Sequence, residues 1–319
     1  MPPLSSYTPT GRQQLGPASD LLEMQDARGE IFTAIRFHPE YRSHNAINSA
    51  LFVVLSFLES PMVSGLSDLV AYDLEGSTFL YATGKSWSIA EIVQLLGDQG
   101  QAAGPRAAAE LMAAAGNILV EAAEIGESAG VYSHGGLTPW RVVTSAAGKV
   151  QIIGHALPQV EILALQQDPS RMPGADAFRY CPPERLDGRK ENFSSDLFGL
   201  ALAVFELVTG KPLYNGLVDE IRQQAARAET GMRLQQAAEV VPEPLRALLR
   251  QALRPTIPDR FRSGGDFQAA MDAVLRAPLP GPSLKEIMQR ASRIQPRARQ
   301  ELQAQSTQQF NRDKLKAFL

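Results

Sequence analysis

The sequence predicts an α+β chain with a small β-rich leading part and a mainly α-helical remainder. Short apolar runs bounded by turn signals crowd into the first part, at Leu21–Asp26, Glu30–Phe37, Leu66–Leu74 and Thr78–Thr83. Long helical patterns dominate the rest of the chain: Ala-rich Pro105–Ser128 opens on a proline, and Leu197–Val208 is apolar nearly all round, as a helix at the centre of a lobe must be. At 319 residues, 44% hydrophobic and 20% charged, the chain is large enough for two lobes or two small domains. A net charge of -3 lacks the basic footprint of a nucleic-acid binder. No run approaches the roughly 18 apolar residues of a membrane span. The single cysteine, Cys181, excludes an intrachain disulfide and suits a reducing, cytoplasmic setting.

Residues 1–20, rich in Pro, Ser, Gly and Gln, read as a flexible arm or a degenerate first strand. Ala27-Arg28-Gly29 joins the next two strands as a hairpin. His44–Leu58 carries Ala46, Ala50, Leu51, Val54, Leu55 and Leu58 at helical spacing, with no acid between Tyr41 and Leu58. Ser88 and Glu91 make a capping box that opens the next helix. Val131–Leu157 reads as two loops flanking a small β-hairpin, an arrangement in which folds often place chemistry. From His134 to Leu157, however, it contains no Asp, Glu or Asn, so no carboxylate there can hold a hard cation or act as a base.

That stretch, HGGLTPWR followed by IIGHAL, resembles the catalytic loop HRDLKPxN and the metal loop DFG of eukaryotic-type protein kinases. His134, Leu137 and Pro139 match. The base Asp is replaced by Gly136, the preceding Arg by Gly135, the Lys by Thr138 and the metal-binding Asn by Arg141. In the second loop Gly154, His155 and Ala156 replace Asp, Phe and Gly. Further on, Pro182-Pro183-Glu184 resembles the APE motif. Ser194–Leu200 and Phe205–Pro212 resemble the central helix of the large lobe, and Arg260 stands where the family keeps the Arg that pairs with the APE Glu. The resemblance spans roughly Leu21 to Leu275.

It implies a two-lobed protein-kinase-like fold: a flexible arm or degenerate first strand over 1–20, a small β-rich lobe over 21–83, a helical lobe over 84–277, and a Pro-rich linker with a basic tail over 278–319. It places Arg36, in IFTAIRF, at the phosphate-binding Lys, and Leu51 nearest the Glu that partners that Lys. Gly11 and Gly16 are too sparse for the phosphate-cradling loop. His134, Glu184, Asp196 and Arg260 are structural positions of the fold. Asp196 is expected to orient the loop around His134, and Glu184 and Arg260 to form a buried ion pair.

With the degenerate positions Arg36, Leu51, Gly136, Arg141 and Gly154, the expectation is a pseudokinase: no cofactor, no metal, no catalytic residue, and a scaffolding or allosteric role toward a protein partner. Two alternatives stand beside it. One is a metal-independent nucleotide or anion sensor with Arg36, Arg141 and His155 as anion contacts. The other is an atypical transferase, which needs an acid in the cleft. In the tail, Leu284, Ile287, Met288 and Ala291 lie at helical spacing; this face either docks on the large lobe or takes a partner in a helix-in-groove mode. Ser170 is the only hydroxyl in the would-be activation segment before Tyr180. Heavy Ala, Arg and Pro usage suggests a GC-rich bacterial genome.

Overall fold

A computed structural model of the 319-residue chain describes residues 3–14, 16, 18–41, 44–59, 63–75, 77–167, 178–226 and 229–293. Strands β1 (Thr8–Gln14), β2 (Ser19–Gln25), β3 (Ile31–Phe37), β4 (Leu69–Asp73) and β5 (Thr78–Tyr81) form an antiparallel sheet in the order β1-β2-β3-β5-β4. The first strand is therefore present, its register with β2 broken between Pro9 and Gln13. Helix α1 (Asn45–Leu58) belongs to the same core as Ile35 and Phe37 of β3 and Phe79 and Tyr81 of β5. A separate cluster of Leu22, Phe32, Ala34, Ala71 and Leu80 lies on the sheet's other face, where the Tyr7 ring meets Phe32 edge-on at 5.0 Å.

The helical lobe comprises α2 (Ile89–Gly97), α3 (Pro105–Gly126), α4 (Leu157–Gln167), α5 (Pro183–Leu186), α6 (Phe193–Thr209), α7 (Val218–Ala226), α8 (Glu229–Gln236), α9 (Glu243–Ala252), α10 (Gly264–Arg276) and α11 (284–293). A small sheet, β6 (Ser86–Ser88), β7 (Val142–Ser145) and β8 (Val150–Ile152), sits at its upper edge. The Ser88–Glu91 capping box forms at the start of α2. At the centre α6 is buried on almost every side and packs on α3. Its start is fixed by Asn192, whose side chain accepts from Ser194, and by Asp196 in the first turn.

Leu284, Ile287, Met288 and Ala291 are not a partner-binding face. All are buried within the chain's main core, between 0% and 4% exposed. The amphipathic stripe is consumed by docking: the Leu284 amide donates to Glu110 of α3 at 2.7 Å, and the Arg106 amide donates to Pro280 O at 3.3 Å, so the linker lies along the start of α3. The basic tail beyond residue 293 and Ser170 lie outside the described residues.

Candidate functional site: the cleft between the lobes

Strand β3 places Arg36 away from the cleft, which corrects the expectation that it holds the Lys position. Side chains alternate along a strand, and a slip of one residue exchanges the faces. Arg36 falls on the side of Phe32 and Ala34 and approaches Asp20 of β2 at 3.8 Å; Ile35 and Phe37 point to α1. Ile35 reaches the metal loop. A Cβ added at Gly154 would land on Ile35 Cδ1 and stand 2.7 Å from Arg141 Nη1. A hydrocarbon thus occupies the space that the resemblance assigns to an ammonium. Leu51 of α1 is fully buried, so this helix contributes packing there and no acid.

The catalytic-loop position is built from backbone. The His134 amide donates to Asp196 Oδ2 at 2.7 Å and the Gly135 amide to Asp196 Oδ1 at 3.3 Å, so α6 holds the loop by one carboxylate. Burial pushes the Asp196 carboxyl up to about 8, against the pull of these two donors. Gly136 is closed in: a Cβ there would strike Pro158 and come 2.8 Å from Arg185 Nη1. Arg185 is held by a two-armed bond to Glu191 at 2.8 and 2.7 Å.

His155 does not contact an anion site. Its ring is buried between Phe57 of α1 (5.3 Å between centroids) and His134 (5.6 Å, edge-on), and neither ring nitrogen has a hydrogen-bond partner. Burial lowers its pKa to about 3, and burial also holds His134 well below the usual value. His134 Nε2 lies 3.1 Å from Ile153 O, which fixes the proton on that nitrogen. Both rings are neutral parts of a packed column.

This column has a testable pH signature. A histidine whose folded pKa is lowered lets the unfolded chain bind more protons, so its stabilisation is complete above about pH 6.5 and is lost as pH falls toward the folded value. His155→Phe, which fills the same slot with no unsatisfied nitrogen, is expected to raise stability by about 1–2 kcal/mol at pH 8. It should also remove about 1.4 kcal/mol per pH unit of slope between pH 6 and 5, where unfolding in urea at fixed pH values can measure it. An unchanged slope would mean that His155 protonates freely in the folded protein.

The acid absent from the loops arrives from α4. Glu161 pairs with Arg141 Nη2 at 2.5 Å and also accepts from the Ser19 hydroxyl of β2. Motif reading had no means of finding either group, because α4 lies beyond the matched motifs and β2 carries none. The available signals were Pro158 at the start of an apolar-periodic run and an acid one turn later. This one carboxylate ties the small lobe, the catalytic-loop position and α4 together.

A small antiparallel sheet with one packed helix, a helical lobe centred on a buried helix, and a loop pair between them define the architecture of a protein-kinase-like fold. The chain is similar to the kinase domain of PknI from Mycobacterium tuberculosis: one structure matches with a TM-score of 0.61 at 15% identity, covering 86% of this chain and 97% of that one. A second structure of that domain matches with a TM-score of 0.58 at 15% identity, over 85% and 96%. Likeness at this identity concerns the fold. No protein-family model and no curated protein matches the sequence.

Protein kinases work with Mg²⁺ and ATP, and the residues at the metal loop do not fit that ion. Gly154 supplies no oxygen ligand from a side chain, and the nearest charged group is the Arg141 guanidinium, which repels a cation. Gly154 also has φ of +68°, a conformation that an Asp would adopt only with strain. Among the described residues no three His, Cys, Asp or Glu gather as a metal-holding group, and no helix is long and apolar enough to cross a membrane.

Proposed function

We propose that this protein is a pseudokinase, a catalytically inactive scaffold or allosteric regulator that acts on a protein partner. The observation that carries the reading is steric. The places of the base and of the metal-loop carboxylate are filled by Pro158 and Arg185 and by Ile35 and Arg141, so the missing groups have been replaced by packing. Phosphoryl transfer depends on positioning and on charge management, and removal of one such group commonly costs a few orders of magnitude in rate. Here several change together.

Exposed apolar side chains on α1, Phe52 and Val53 at 66% and 52%, support a binding role. The test is transfer from γ-labelled ATP with Mg²⁺ and, separately, Mn²⁺, to the protein itself and to generic substrates. No incorporation above a heat-denatured control is expected. Stoichiometric incorporation that an Arg141→Ala change abolishes would overturn the proposal.

A further inference from the structure

Arg141 is a charged group in the cleft whose hydrogen bonding is incomplete. Its side chain is 8% exposed and permanently charged, yet only one arm of the guanidinium, Nη2, meets the Glu161 carboxylate. The other arm, Nη1, is buried without a hydrogen-bond partner and packs against Gly154, so an anion that reaches both arms must take the place of the Glu161 carboxylate. The hydroxyl of Tyr81, fully buried at the end of β5, is also without a partner and feels the charges of both Arg141 and Glu161. Buried polar atoms are ordinarily paired, and an incomplete charged fork is costly to keep. A tetrahedral or planar oxyanion spans both arms of a guanidinium; Glu161, as bound here, does not.

Glu161 is also the more replaceable partner. It is 18% exposed, stands on the surface side of the pair, and has the Ser19 hydroxyl as its other contact. With Gly136 and Gly154 carrying no side-chain charge, Glu161 is the one acid that the described structure sets against Arg141.

We propose that Arg141 is the receiving group for a small oxyanion, a phosphate that is either free or the end of a nucleotide, bound without metal in competition with Glu161. Binding moves Glu161 out of its pair, and with it the tie that α4 makes to β2. Occupancy of the cleft is thereby coupled to the freedom of α4. This goes beyond the scaffold reading and does not depend on it, since an inactive protein need not bind an anion and an anion binder need not be inactive.

The test titrates the full chain with inorganic phosphate in EDTA at constant ionic strength, by calorimetry, and follows amide exchange of residues 157–167. Glu161→Gln keeps shape and removes the competing charge, so it should bind phosphate about tenfold more tightly than the wild type, the effect of losing one close charge pair. Arg141→Gln should lose binding, and Arg141→Lys should retain a weakened form, which guards against misfolding of the Gln variant. In the wild type, phosphate should accelerate exchange in α4; in Glu161→Gln exchange should already be fast. ATP in EDTA that displaces phosphate would identify a nucleotide as the source, and failure to displace it would identify the free ion. Equal affinity in wild type and Glu161→Gln, or no phosphate binding by Glu161→Gln at tens of millimolar, would overturn the proposal.

Discussion

Arg260→Ala is expected to cost about 3–5 kcal/mol of stability, as much as truncating a large core side chain. Arg260 and Glu184 are 2% and 1% exposed and joined by two bonds of 2.6 and 2.9 Å. The guanidinium also donates to the carbonyls of Arg254 (2.7 Å), Pro255 (3.2 Å) and Ser194 (3.4 Å), and lies 4.6 Å above the Phe198 ring. Removing it takes the charge partner from a buried carboxylate and a donor from three carbonyls at the junction of α5, α6 and the loop before α10. Glu184→Ala should cost somewhat less, because Arg260 keeps its carbonyl partners.

The carboxylate adds a pH dependence. Burial by itself raises the Glu184 pKa, but the Arg260 hydrogen bonds and charge outweigh it and hold the carboxyl below its usual value. A lowered folded pKa means that the pair's contribution is complete above the ordinary glutamate value of about 4.3 and is lost as pH falls through the folded value. Urea titrations at pH 7 and at pH 4 should therefore show a smaller gap between wild type and Arg260→Ala at the lower pH. A gap below about 1 kcal/mol at pH 7 would mean that the pair is not a keystone of the lobe.

Rebuilding the kinase motif should damage the protein and restore no catalysis. In Gly136→Asp the new Cβ strikes Pro158 and the held Arg185; in Gly154→Asp it strikes Ile35 and enters a left-handed backbone position. Overpacking of this kind costs about 1–3 kcal/mol per site, with about 1 kcal/mol more for the conformation at 154. The double variant is then expected to lose roughly 3–7 kcal/mol and to show no Mg²⁺-dependent transfer. Thermal unfolding and a transfer assay on the same preparation would decide. A stable double variant that gains transfer would show the cleft to be a disabled active site, with its space still open.

Much of the architecture was legible because it depends on local chemistry. The apolar run of Leu197–Val208 marks a central helix by itself, while the role of Asp196 at its start was legible through the resemblance to the kinase motif. Glu184 and Arg260 were readable as a pair only through the resemblance to the kinase motifs, because each stands among other charges, Arg185 and Asp187 beside the first and Asp259 and Arg262 beside the second. The register of β3 was not readable: TAIRF fits the family strand with either Ile35 or Arg36 facing inward, and only the partition of Phe32, Ala34 and Phe37 between two cores settles it. Glu161 was hidden for a different reason. Its role arises from α4 folding back toward β2, a tertiary contact that leaves no spacing signature. The stripe of Leu284, Ile287, Met288 and Ala291 looks the same in sequence whether its groove belongs to a partner or to the chain itself.

The most direct measurement of whether the cleft still handles a metal nucleotide is thermal unfolding with ATP, once with Mg²⁺ and once with EDTA. A ligand at about a hundred times its dissociation constant adds roughly 2.7 kcal/mol to the folded state, an easily resolved shift. With Gly154 in place of a carboxylate and Arg141 beside it, any shift with ATP is expected to be the same in Mg²⁺ and in EDTA. A shift that appears only with Mg²⁺ would contradict this and restore the protein to the metal-dependent kinases.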